Sequence, residues 1–151
     1  MICLRLMIAA LAGLSLSACG GDKTHDARLA KAGPNPSLAA LMRVADPQIG
    51  DRKAASCKAC HTFDAGGPDM AGPNLHDAYG QPMGRNRPGF GYSAALRDAG
   101  GKWDDATLDA WLKNPQAVVP GTAMMFGGIS DPLNRADVIA YLSAGVVASR
   151  A

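Results

Sequence analysis

The sequence predicts an all-α domain on three observations. Two helix starts are written alike, Asp46-Pro47 and Asp131-Pro132, each an acidic N-cap followed by proline at the first helical position. Apolar side chains recur at helical spacing in two segments: Leu108, Trp111 and Leu112, then Val138, Tyr141 and Leu142. Between the first helix start and these segments, Thr62 to Gly91 is rich in glycine and proline and shows neither helical nor strand periodicity.

The chain begins with a leader. Arg5 is a positive n-region, and Leu6 to Leu16 is an apolar run too short to span a bilayer comfortably. Residues 1–18 therefore read as a signal peptide. Leu16-Ser17-Ala18-Cys19 resembles the lipobox of bacterial lipoproteins, which implies a diacylglyceryl thioether on Cys19 and cleavage before it. Several acyl chains make a firm anchor in a lipid bilayer, at about 0.8 kcal/mol per buried methylene. An ordinary secretory signal with a chance cysteine is the plainer reading. Either way the mature chain leaves the cytoplasm for the periplasmic face.

Residues 19–45 read as a lipidated N-terminus and a flexible tether. They are polar and small, and Gly33-Pro34-Asn35-Pro36 breaks them. As a coil they would span roughly 25–30 Å on average and about 85 Å fully stretched. Inside the tether Ser37 can cap a short helix that puts Leu38, Leu41 and Met42 on one face. His25 reads as a solvated loop residue.

The folded domain is expected over 46–147, with four helices. The first runs from about Pro47 into the cysteine pair at 57 and 60. The second, Tyr92 to Asp98, is stopped by Gly100-Gly101. The third, Asp104 to Lys113, ends before Asn114-Pro115. The last runs from Asp131-Pro132 to about Ala144. A structureless stretch as long as 62–91 normally counts against a compact domain. It becomes sensible if the loop wraps a flat cofactor. An aromatic content of only 5% also leaves few large side chains for a core.

Cys57-Lys58-Ala59-Cys60-His61 identifies that cofactor. C-x-x-C-H is the attachment signature of haem c. Two thiols one helical turn apart can add across the two vinyl groups, and the next residue places an imidazole for the iron. A thioredoxin-like pair would want a βαβ context, which is missing, and half a zinc site would want a second Cys/His pair downstream, also missing. The net charge of +2, with no basic stripe, argues against nucleic acid as a partner.

From about Asp46 to Ala144 the chain resembles the class I cytochromes c. The resemblance rests on Cys57-Lys58-Ala59-Cys60-His61, Gly72-Pro73-Asn74-Leu75, Pro88-Gly89-Phe90-Gly91-Tyr92, Trp103, Trp111-Leu112-Lys113-Asn114-Pro115 and Pro120-Gly121-Thr122-Ala123-Met124-Met125-Phe126, in the family's order. It implies a fold of about four helices and long loops around one covalently bound haem, with His61 and Met124 on the iron. Met124 rather than Met125 is chosen because the ligand is the fifth residue of the family's Pro-Gly-Thr-x-Met run. The resemblance further implies that the Pro73 carbonyl accepts from the imidazole and that Tyr92, Trp103 and Thr122 bond the inner propionate. Leu75, Leu108, Leu112 and Phe126 would be apolar walls of the crevice.

Four departures stand out. Gln81 replaces an arginine common in the family, so Arg85 or Arg87 would have to substitute. Trp111 stands where a tyrosine is common. Ala54 replaces an aromatic of the first helix, which would weaken its packing on the last. Ala123 replaces a lysine on the rim.

With both axial positions filled, one-electron transfer through an exposed haem edge remains, and no enzymatic activity is expected. A monomeric carrier tethered to the membrane is implied, with a bc1-type donor and an oxidase-type acceptor. Service to one periplasmic dehydrogenase, a peroxidase-like enzyme with a labile Met124, and a haem-free thiol switch are the other readings.

Overall fold

The computed structural model describes residues 23–148, so the signal peptide and Cys19 lie outside the described residues. In chain order the elements are α1 (Lys23–Ala32), α2 (Leu38–Met42), α3 (Pro47–Lys53), a 3-10 stretch (Ala54–Ala59), α4 (Ala94–Asp98), α5 (Asp105–Lys113), α6 (Pro115–Val118) and α7 (Pro132–Ala148). Among the described residues there is no strand, only an isolated bridge between Pro82 and Lys102. The all-α class holds. The four expected helices correspond to α3, α4, α5 and α7, and the short helix expected after Ser37 is α2; α1 and α6 are added to them.

Local chemistry accounts for where these helices begin. The side chains of Ser37, Asp46, Ser93, Asp104 and Asn114 each accept an amide N–H one or two residues inside the helix that follows. Each satisfies a donor that has no intrahelical partner. Asp131 does the same for α7 by accepting from the Asn134 amide at 2.8 Å.

The largest departure from the sequence reading is at the N-terminus. Residues 23–45 are not a coil. Leu29 and Ala32 of α1 pack, with Met42, Val44 and Ala45, against a small core cluster of Leu41, Leu133 and Ala136. The Arg28 guanidinium reaches the carboxylate of Asp137 on α7 and donates to the Val44 carbonyl at 2.8 Å. Asp137 is fully buried and also accepts the Asp46 amide N–H at 2.8 Å. A buried carboxylate needs such partners, because an unpaired charge away from water is costly. His25, expected as a solvated loop residue, sits in α1 with Nε2 3.2 Å from Asp131. Burial works against the Asp131 charge, but the Asn134 amide and His25 outweigh it and hold its pKa below the usual carboxylate range.

Helix α3 meets α7 at Gly50. A Cβ there would overlap the Asp137 carbonyl oxygen and lie 2.8 Å from Cβ of Tyr141. Ala54, one turn on, is fully buried. The small residues therefore bring the two backbones together instead of weakening the contact. The aromatic that this helix lacks comes from elsewhere: the Phe63 ring lies 5.5 Å from that of Tyr141. The main core gathers Met83, Tyr92, Leu96, Trp103, Leu108, Trp111, Leu112, Val119, Val138 and Ile139. Helix α5 contributes the face with Leu108, Trp111 and Leu112, as its spacing predicts.

Candidate functional site

The site begins where the 3-10 stretch ends. The Cys57 carbonyl accepts from the Cys60 amide at 3.0 Å and from the His61 amide at 2.9 Å. This one turn separates the two thiols and sets the imidazole directly after the second. Both cysteines are free thiols, Cys60 exposed and Cys57 half-buried. Burial pushes the Cys57 thiol pKa up.

The loop after His61 folds back onto it. The Gly72 amide donates to the Cys60 carbonyl and the Leu75 amide to the Thr62 carbonyl, both at 2.8 Å. Asn74 ties this loop together. Fully buried, it donates to the Asp64 carbonyl at 3.0 Å and accepts from the His76 amide at 2.8 Å. Its role was missed in the sequence, where it reads as one letter of a turn. The loop brings the Pro73 carbonyl oxygen to 2.7 Å from Nδ1 of His61. Gly72 lies flat on the imidazole, and a Cβ there would fall 2.7 Å from Nε2 and 2.6 Å from Nδ1. With Nδ1–H donated to Pro73, Nε2 keeps a lone pair for a metal.

The second half of the site is the segment after α6. Met124 is half-buried and packs on the main core, whereas Met125 is 88% exposed. The neighbouring methionines are thus turned to opposite environments. Gln116 of α6 spans the segment from below, donating from Nε2 to the carbonyls of Thr122 at 2.9 Å and Met124 at 3.3 Å. Nothing in its sequence surroundings marks it.

Tyr92, Trp103 and Thr122 are all buried. The Tyr92 hydroxyl donates to Asn86 at 2.8 Å, and burial raises its pKa, so the phenol stays a proton donor at neutral pH. The Thr122 hydroxyl oxygen accepts the Met124 amide at 3.4 Å, which leaves its own proton to give. Trp103 lies edge-on to Trp111 with ring centroids 5.1 Å apart. Leu108 and Leu112 are buried; Leu75 and Phe126 are half-buried.

Gln81 lines a polar cleft of about 290 Å³ with Asn74, His76, Asn86 and Arg87. Arg87 is held there by Asp69 at 3.1 Å, while Arg85 turns to the Arg97 carbonyl. Of the two arginines, Arg87 is the one beside Gln81. Lys58 is paired with Asp51 at 2.7 Å, and Ala123 is exposed beside Met124.

These residues fit a covalently held haem. Two free thiols stand one turn apart, an imidazole is fixed by its distal nitrogen, and a glycine leaves the ring uncrowded. A thioether is packed toward a core built from only a few aromatics.

Comparison with known proteins follows the same line. No family model matches the chain. A cytochrome c homolog of Bradyrhizobium diazoefficiens is 43% identical over 114 residues, which cover 76% of this chain and 62% of that protein. The chain thus spans under two thirds of that relative. Cytochrome c2 of Rhodomicrobium vannielii is 46% identical over 98 residues, 65% of this chain and 78% of that protein. Among solved structures, cytochrome cH from Methylobacterium extorquens superposes with a TM-score of 0.63 at 42% identity, covering 66% of this chain and 99% of that one.

Proposed function

We propose that the chain, which belongs to the class I cytochromes c, is a periplasmic electron carrier held to a membrane by lipid on Cys19. As a cytochrome c it carries one covalently bound haem c and transfers electrons; it is not an enzyme. Bound haem c supplies an iron that takes up and gives back one electron. The protein residues do the rest.

Cys57 and Cys60 hold the group through thioethers. His61 offers Nε2 to the iron, and the Pro73 carbonyl keeps the ring in the required tautomer and makes it more basic. Met124 would offer its thioether, a soft donor that favours the ferrous state and raises the potential. Trp103 and Thr122 would donate to a propionate of the group, and Tyr92 would join them by exchanging the bond it gives to Asn86. With His61 and Met124 both on the iron, no position would be left for a substrate. The exposed rim at Met125, Ala123 and the compensated Lys58–Asp51 pair suits brief encounters with another redox protein. A bc1-type donor and an oxidase-type acceptor fit such a carrier. The observation that carries this reading is the 2.7 Å bond from His61 Nδ1 to the Pro73 carbonyl, which leaves Nε2 a lone pair to offer an iron.

The test is a visible and near-infrared spectrum of the haem-loaded protein. We expect a sharp reduced α-band and a weak ferric near-infrared band of methionine–iron ligation. That weak band should vanish in Met124→Ala and persist in Met125→Ala; a high-spin ferric wild type overturns the ligand assignment. For the anchor, Cys19→Ser should move the protein from membranes to the soluble periplasmic fraction. Retention on membranes would refute the lipid.

A further inference from the structure

The segment from Pro120 to Gly128 presents two methionines side by side, and very little of its own backbone holds it. The Thr122 amide donates to the Val119 carbonyl at 3.0 Å, and the Ile129 amide to the Leu112 carbonyl at 2.8 Å. Between them, among the described residues, the one amide bond is that of Met124 to the Thr122 hydroxyl, at 3.4 Å. A loop so loosely bonded has no internal reason to present Met124 rather than its neighbour.

We infer that Gln116 is the positioning residue that locks this loop so that Met124, and not Met125, faces inward. Its own backbone is fixed. Pro115, at the first position of α6, is buried, and the Asn114 side chain caps the helix by accepting the Ala117 amide at 3.1 Å. A glutamine amide carries two N–H donors. Both are spent here, on the carbonyls of Thr122 and Met124, which bracket the peptide units on either side of Ala123 and Met124. Tying both carbonyls fixes the backbone torsions that aim the Met124 side chain. Sδ of Met125 lies 3.9 Å from the same nitrogen on the exposed side, where no proton is left to bind it. A lone donor could pivot; a fork on alternate carbonyls sets the register. The inference rests on Met124 as the sixth ligand.

The readout is the rate at which cyanide binds the ferric, haem-loaded full-length protein, because cyanide enters only when the methionine leaves. Gln116→Ala removes both donors. Gln116→Glu keeps the shape but sets carboxylate oxygens against two carbonyl oxygens. We expect the rate to rise about tenfold to thirtyfold in Gln116→Ala, the loss of two net hydrogen bonds, and further in Gln116→Glu. Val118→Ala, an exposed change on the same helix, should leave it unchanged. A general loosening of the fold would not produce this rank order. Wild-type rates in both Gln116 variants, measured beside a fast Met124→Ala, overturn the inference alone. A wild type already as fast as Met124→Ala removes the ligand assignment, and the inference with it.

Discussion

The helical seam of α1, α3 and α7 and the irregular half formed by 54–91 and 119–131 are built on opposite principles. The seam explains itself: glycine meets backbone, and an arginine and a backbone amide meet a buried carboxylate. The irregular half has long loops that end on side chains with spare capacity: an imidazole nitrogen, two thiols, a threonine proton. Its shape is explained only by a group outside the chain. Damage to the seam should therefore appear as lost stability with an unchanged spectrum, and damage to the loops as an altered spectrum with modest loss of stability.

The largest effect should come from Gly50→Ala. The new Cβ meets backbone that cannot swing aside, at a cost of about 3 kcal/mol, the upper end for overpacking. Thermal unfolding should begin about 10 °C lower with the ligand-field bands unmoved. Its counterpart, Gly72→Ala, presses on the imidazole and should shift those bands and the midpoint potential more than the melting point. If both variants changed both quantities in proportion, the two halves would be one unit and the comparison would fail.

Arg28→Ala comes next. It strips the cation from buried Asp137 but leaves the Asp46 amide, so we expect about 2 kcal/mol of lost stability by denaturant titration. An unchanged midpoint of unfolding would mean that α1 is not part of the seam.

The smallest effect is one of pH. The Tyr79 hydroxyl donates to Asp105 at 2.7 Å. That bond, with partial burial, pushes its pKa up to about 12 from an ordinary 10. A pKa raised on folding gives stability that is whole below pH 10 and is lost as pH climbs through 12. Phenolate absorbance against pH should show a step near pH 12 that Tyr79→Phe removes, and its absence from the unsubstituted protein would mean the bond is not made in solution.

Legibility in the sequence divides along the same line. The cap residues Ser37, Asp46, Asp104 and Asp131 and the apolar faces of α5 and α7 are local signals, and the chain states them within a turn of where they act. The haem pentapeptide is legible for the same reason: its chemistry needs a fixed short spacing. Helix α1 was not legible, because its sequence Lys-Thr-His-Asp-Ala-Arg-Leu-Ala-Lys-Ala is polar and buries no residue of its own. What holds it is Arg28 reaching Asp137 across 109 positions, which no local pattern encodes. Asp137 itself reads as a surface acid in front of Val138. Gly50 and Ala54 read as a weak seam because the sequence shows the missing side chains and not the backbone that takes their place. Gln116 escaped notice because its partners are main-chain carbonyls, which carry no residue identity.

The docking of α1 also bears on how far the carrier can travel. Were Cys19 to carry the proposed lipid, three residues would separate it from the first residue of α1, about 14 Å from Cα to Cα at full stretch. A leash that short gives the molecule almost no vertical reach. It would hug the headgroups, drift sideways with the lipid and meet partners by tumbling in place. Its collisions would be counted per area of membrane and not per volume of periplasm. A partner whose docking face stands high above the bilayer would never be touched. Lengthening Gly33–Pro36 would not help, because that turn lies on the far side of the clasp; only residues inserted before Lys23 would let the carrier climb.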